Sequence, residues 1–189
     1  MGASISDITS GMALRVDDGN YIVVDYSHVK PGKGAAFVRV RLRHMKTDLI
    51  LERTFRNSDK IEVLFLEDRT YQYQYKAGDS YHFMDQETYE EMVVSAEELG
   101  DKAVKYLQDN IIVTATFCEH KLQRITLPNF IVAQIIETDP GFKGDSSKAG
   151  NKPAKIDTGA TVPVPLFINT GDFVKIDTRS DEYIERVQK

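Results

Sequence analysis

The residues best suited to meet a charged partner lie in one short stretch. Lys30-Pro31-Gly32-Lys33-Gly34 leads into Phe37-Val38-Arg39-Val40-Arg41-Leu42-Arg43. Between Asp25 and Asp48 every Lys, Arg, Asp or Glu is basic: Lys30, Lys33, Arg39, Arg41, Arg43 and Lys46. The whole 189-residue chain carries a formal charge of −5. A basic prong on a mildly acidic protein suits approach to a polyanion. Pro31 presets its own backbone angle, Gly32 can take the positive angle of a type II turn, and Gly34 lets the chain turn back. Lys33 at the apex then extends a mobile cation with three donors and no acceptor. A hairpin with a solubilising lysine would use the same residues. The arginine row behind the turn is what shifts the reading toward phosphate contact.

Other chemistries find little support. An apical lysine flanked by glycines has neither the burial nor the neighbouring cation that would make it a nucleophile. Pro31-Gly32-Lys33-Gly34 is not a Walker loop. His28, His44, His82 and His120 show no HxH or HExxH spacing, so no metal is expected. Asp79, Asp85, Glu87, Glu90 and Glu91 read as solvated acids, with no pair marked for acid–base work. The single cysteine, Cys118, sits beside an apolar run and reads as a buried small hydrophobe in a reducing, cytoplasmic setting. No apolar run approaches a membrane span, and no secretory signal is evident.

A second group of candidates lies near the C-terminus. Gly141-Phe142-Lys143-Gly144-Asp145-Ser146-Ser147-Lys148 could present backbone N–H groups and charges to phosphates or base edges, or be a plain surface loop. Arg179, Tyr183 and Arg186 could add stacking and phosphate contacts, or simply pack and be solvated. Tyr71, Tyr73 and Tyr75 share a strand face and are expected to pack.

The elements that must carry these groups are mostly strands. Val38, Val40 and Leu42 alternate with Arg39, Arg41 and Arg43, the period of a half-buried strand. A turn is expected at Asp18-Gly19-Asn20, and Val63-Leu64-Phe65-Leu66 reads as opening a second block. Ser95-Ala96-Glu97-Glu98 matches a capping box, with Leu99, Ala103 and Leu107 at helical spacing and Gly100 as a weak point. Asp139 to Ala154 reads as a loop, and Leu166-Phe167-Ile168 as a strand. The fold class is all-β. Residues 1–64 suggest an SH3-like barrel, and 65–127 and 128–189 two five-stranded barrels of the OB kind. The three blocks hold ten basic and eight acidic groups, six and twelve, and eight and nine. The middle block is thus the poorest match for a nucleic-acid backbone.

An ordered series of segments resembles bacterial translation elongation factor P over essentially the whole chain. It comprises Val29–Gly34 with Ala36–Val40, Tyr81–Met84, Thr138–Asp145, Val164–Ile168, and Val174–Ser180 through Tyr183. The resemblance implies a KOW-type SH3-like domain followed by two OB domains in an L shape like a tRNA. It implies a non-catalytic factor, without cofactor, that binds the 70S ribosome between the P and E sites and relieves stalling at consecutive prolines. Lys33 matches the tip lysine that often carries a covalent extension, added by a lysine-modifying enzyme, and reaches toward peptidyl-tRNA. Lys30, Arg39, Arg41 and Arg43 would anchor the stem on tRNA or rRNA. Gly144, Asp145 and Ser146 match the region near the E-site codon of the mRNA, and Tyr183 and Arg186 match positions on the small-subunit side. A monomer is expected, with no membrane partner. Two departures stand out: Leu127 precedes Pro128 where a second proline is common, and Ser146 replaces a frequent threonine. The alternatives are a paralogue with narrower motif preference and a general RNA-binding module. An RNA-modifying enzyme would need a convergent cleft that the pattern lacks.

Overall fold

Alternating apolar residues in short runs, separated by Gly, Asp and Asn turns, place the chain in three sheets. The computed structural model describes residues 2–32, 34–140 and 150–188. The first sheet holds β1 (Gly2–Ala3), β2 (Ala13–Val16), β3 (Gly19–Val29), β4 (Phe37–His44), β5 (Ile50–Arg56) and β6 (Ile61–Leu64). They are ordered β1-β6-β2-β3-β4-β5, and every neighbouring pair is antiparallel. The second sheet holds β7 (Leu66–Ala77), β8 (Ser80–Asp85), β9 (Glu91–Ser95), β10 (Ile112–Cys118) and β11 (Lys121–Thr126), ordered β11-β10-β7-β8-β9. Two short helices, α1 (Ala96–Leu99) and α2 (Asp101–Tyr106), separate β9 from β10. The third sheet holds β12 (Phe130–Thr138), β13 (Asn151–Ile156), β14 (Thr161–Pro165), β15 (Phe173–Asp177) and β16 (Glu182–Val187), ordered β14-β13-β12-β15-β16. The architecture is all-β, with a KOW-like N-terminal domain and two OB-type domains. Contacts divide the chain into two compact units, 1–68 with 116–124 and 69–115 with 125–189.

In the first unit the period-2 reading of β4 holds. Val38, Val40 and Leu42 are buried with Leu14, Val23 and Phe55, so one wall of the candidate stem is fixed by the core. Burying a side chain of this size is worth about 1.5–3 kcal/mol, and a one-residue slip would expose all three. Two local expectations need correction. The turn before β3 is Asp17-Asp18, one step earlier than expected. Asp17 takes the left-handed angle (φ 50), and Gly19 and Asn20 already pair with β2. The run Val63-Leu64-Phe65-Leu66 is not one strand. β6 ends at Leu64 on the first sheet, β7 begins at Leu66 on the second, and Phe65 stands exposed between them. Cys118 is buried against Ala13 and Leu64, and burial pushes its thiol up.

In the second unit the capping box forms. The Glu98 N–H donates to Ser95 Oγ at 3.3 Å, and the Ser95 N–H donates to Glu98 Oε2 at 3.2 Å. Gly100 then takes φ +81 and splits the expected single helix in two. The break resets the helical phase, so Tyr106 rather than Leu107 follows Leu99 and Ala103 into the interior. A bulge in β7 between Tyr73 and Tyr75 parts the tyrosines. Tyr71 and Tyr73 are buried, whereas Tyr75 is exposed and stacks on His82 at 4.4 Å. The region expected as loop to Ala154 is strand from Asn151, with Lys152, Ala154 and Ile156 turned inward. Leu166-Phe167 is a turn, from which only Ile168 of the expected strand enters the core. Among the described residues no helix is long and apolar enough to cross a membrane.

Candidate functional site

The long hairpin β3–β4 delivers the candidate tip. Val29 pairs with Phe37, so residues 30–36 form the connection. Lys33 itself lies outside the described residues. Of its supports, Pro31 is half-buried, and Lys30, Gly32 and Gly34 are exposed. The left-handed angle falls on Gly34 (φ +113), not on Gly32, which corrects the expected turn. Any L side chain at position 34 would therefore be strained.

Behind the tip, register decides what each arginine meets. Arg39 sits between Ser27 of β3 and Thr54 of β5. Its guanidinium carbon lies 5.7 Å from the Phe37 ring centroid. Arg41 sits between Asp25 and Glu52. The bulge in the β3–β4 pairing between Val23 and Asp25 sets that alignment. Arg43 lies near Asp48, Nε to Oδ1 3.8 Å, but that carboxylate also binds both terminal nitrogens of Arg124 at 2.8 and 3.1 Å. A groove of ≈ 450 Å³ runs along β3, β4 and β5, lined by Asp25, Ser27, Arg39, Arg41, Glu52 and Thr54 among others.

The basic row is therefore graded rather than uniform. Toward the tip, Lys30 and Arg39 face hydroxyls and solvent. Toward the base, Arg41 and Arg43 face carboxylates. Cross-strand opposite charges attract, so the positive field of the row weakens from tip to base. Sequence reasoning missed Asp25 and Glu52 as members of this face, because only strand pairing brings them beside Arg41. Arg53, one strand over, points to the opposite face and reaches Asp17 at 3.3 Å.

The C-terminal candidates are more occupied. Gly144, Asp145 and Ser146 lie outside the described residues. At the base of their connection, Lys152 Nζ donates to the Asp139 carbonyl at 2.6 Å, and Thr138 Oγ1 donates to the Pro153 carbonyl at 2.9 Å. Tyr183 packs half-buried against the third core. Arg186 is exposed and loosely paired with Asp172 at 3.9 Å. Arg179 is committed: its Nη2 and Nε donate to Asp177 at 2.6 and 3.0 Å. The Arg179 side chain, then its backbone N–H, pull the Asp177 carboxyl down to about 2.

The described residues contain no group of three His, Cys, Asp or Glu that could hold a metal. What the arrangement offers is directed positive charge on a rigid stem, which is contact chemistry with a polyanion.

Comparison with known proteins agrees. Three family models match in succession: the elongation factor P KOW-like domain over residues 4–61, its OB domain over 66–125 and its C-terminal domain over 131–186. Elongation factor P of Natranaerobius thermophilus is 48% identical over 183 residues, covering 97% of each chain. The Synechococcus elongatus protein of that name is 46% identical over 183 residues, 97% of this chain and 98% of its own. Among solved structures, eukaryotic translation initiation factor 5A from Methanococcus jannaschii shares the fold with a TM-score of 0.51 and 24% identity. It covers 66% of this chain and 95% of its own. An initiation factor 5A family protein from Naegleria fowleri gives 0.56 at 13% identity, with 67% and 95% covered. On these matches along nearly its whole length, the chain belongs to the elongation factor P family, non-catalytic translation factors that bind the ribosome and aid synthesis through consecutive prolines.

Proposed function

We propose that this protein binds the 70S ribosome between the P and E sites as a monomer and steadies the acceptor end of peptidyl-tRNA. The observation that carries the reading is the charge gradient on the β3–β4 hairpin. Arg39, toward the tip, has the hydroxyl residues Ser27 and Thr54 as its cross-strand neighbours where Arg41 has Asp25 and Glu52, and Lys30 lies exposed in the connection beyond the pairing. Arg41 and Arg43 support the stem more weakly. Lys33, extended covalently by a lysine-modifying enzyme, reaches past them toward the CCA end and transfers no proton. Gly144, Asp145 and Ser146 approach the E-site codon, and Tyr183 and Arg186 meet the small-subunit side. The domains carrying these contacts run 1–64, 65–127 and 128–189, and the setting is the cytoplasm.

The physical task is positioning. Proline lacks an N–H and has a fixed φ, so two prolyl groups readily sit out of reacting geometry. A misplacement of about 1 Å can cost a hundredfold in rate, so holding the tRNA end still is enough to restore it.

Proline–proline bond formation on reconstituted ribosomes tests the reading, comparing protein from its natural host with Lys33→Ala. The mutant is expected to keep its fold and lose most of the stimulation, and intact mass of the natural protein reports the extension. Equal stimulation by both proteins overturns the role of the tip.

A further inference from the structure

Helix α2 lies in the connection between β9 and β10, yet its last residue serves the third sheet. The Tyr106 side chain is fully buried in the core formed by Ile131, Ile156, Val174 and their neighbours. Its hydroxyl donates to Asp181 Oδ1 at 2.7 Å, and Lys105 Nζ donates to the other oxygen, Oδ2, at 2.8 Å. Lys102 Nζ donates to the Arg179 carbonyl at 2.6 Å, and Thr158 Oγ1 donates to the Lys105 carbonyl at 2.9 Å. Asp181 stands at φ 62 in the turn between β15 and β16, and β16 begins at the next residue.

A six-residue helix has no stability of its own, so α2 keeps its shape through these contacts. A phenylalanine would fill the core as well as Tyr106 does, and a buried hydroxyl costs free energy unless it is matched. The hydroxyl therefore supplies something packing does not, which is a fixed position for the turn. Burial and the adjacent Asp181 raise the Tyr106 phenol well above its usual range. Burial alone would raise the Asp181 carboxyl, but the hydrogen bonds from Lys105 and Tyr106 hold it below its usual value. Both groups thus stay in the states that bond, phenol to carboxylate, throughout neutral pH.

We propose that Tyr106 and Asp181 are positioning residues that lock the β15–β16 turn onto α2 and so present Arg186 of β16 in a fixed register to the ribosome. The proposal rests on the reading of β16 as ribosome-facing. Its distinguishing mark is that it acts on binding through Arg186 and not on the stimulated rate at the tip.

The test compares Tyr106→Phe, Asp181→Asn, Arg186→Ala and the double variant Tyr106→Phe/Arg186→Ala in the proline–proline assay, titrating the factor. Two quantities are read: the concentration for half-maximal stimulation and the rate at saturation. Circular dichroism melting reports folding. Tyr106→Phe is expected to raise the half-maximal concentration about fivefold, the scale of one typical net hydrogen bond, at an unchanged saturating rate. Asp181→Asn breaks the same lock from the other side, and stands in should Tyr106→Phe not fold. The double variant is expected to bind no more weakly than Arg186→Ala alone. A folded Tyr106→Phe with wild-type half-maximal concentration overturns the proposal, as do effects of Tyr106→Phe and Arg186→Ala that multiply. If Arg186→Ala itself binds normally, the ribosome-facing reading of β16 fails and the proposal falls with it. If Arg186→Ala weakens binding and Tyr106→Phe does not, only the proposal falls.

Discussion

The β3–β4 hairpin and the β15–β16 hairpin both carry arginines, and they dispose of the charge in opposite ways. On β4 the pairing sets Arg39 between two hydroxyl residues and gives it no carboxylate as a cross-strand neighbour. At the other hairpin Arg179 is held at two nitrogens by the well-buried Asp177, and Lys175 is paired with Glu185 at 3.1 Å. Rings lie beside the cations of both hairpins, Phe37 at 5.7 Å from Arg39 and Phe130 at 5.2 and 5.6 Å from Lys175 and Arg179, so carboxylates rather than rings separate the two. A cation is worth to a partner only what its own neighbours have not already taken. The number of basic residues in a segment is therefore a poor measure of its capacity to bind phosphate. The carboxylates that register places alongside are the better one.

That contrast can be broken by experiment, most sharply at Arg39. Charge reversal there, Arg39→Glu, is expected to weaken ribosome binding by about tenfold or more, because a phosphate contact of this type is worth roughly 1.5–3 kcal/mol. Arg41→Glu, between Asp25 and Glu52, should cost only about threefold, since its charge is partly offset already. Equal losses would mean that the gradient along the row has no bearing on binding. Removing the offset is a smaller change in the other direction. Asp25→Asn with Glu52→Gln is expected to tighten binding about twofold and to steepen its dependence on salt, as more counterion release is recruited. An unchanged salt slope would count against Arg41 meeting phosphate.

The smallest expected effect on binding is at Asp177 of the second hairpin, and there the readout moves to acid stability. The folded Asp177 carboxyl is held at about 2, below the value near 3.9 expected in an unfolded chain. Its contribution is complete above the unfolded value and is lost as pH falls from there through about 2. Melting of the natural protein should therefore drop more steeply between about pH 4 and pH 2 than that of Asp177→Asn. Ribosome affinity at neutral pH should change less than twofold. Parallel melting profiles would show that the Asp177–Arg179 pair does not stabilise the fold.

Much of this protein is legible residue by residue. The alternation in Phe37–Arg43 announces both the buried and the basic face of β4, and both are found there. The capping box at Ser95 and Glu98 forms, and Cys118 is buried as its apolar neighbours suggest. Errors collect where the chain changes phase. The β7 bulge turns Tyr75 outward, Gly100 moves the buried position from Leu107 to Tyr106, and Phe65 falls between the end of one sheet and the start of the next. Each is a one-residue shift that periodicity, being an average over a window, does not resolve.

Composition, period-2 patterning and the glycine–proline–lysine turn determined the class of fold, the identity of the stem and the sign of its charge, because these are properties of neighbours along the chain. Only the tertiary structure decided which cations remain available. Strand register sets Asp25 and Glu52 alongside Arg41, and Asp181 meets Tyr106 from 75 residues away. Electrostatic and hydrogen-bond energies depend on separation in space, and strand pairing and packing set that separation.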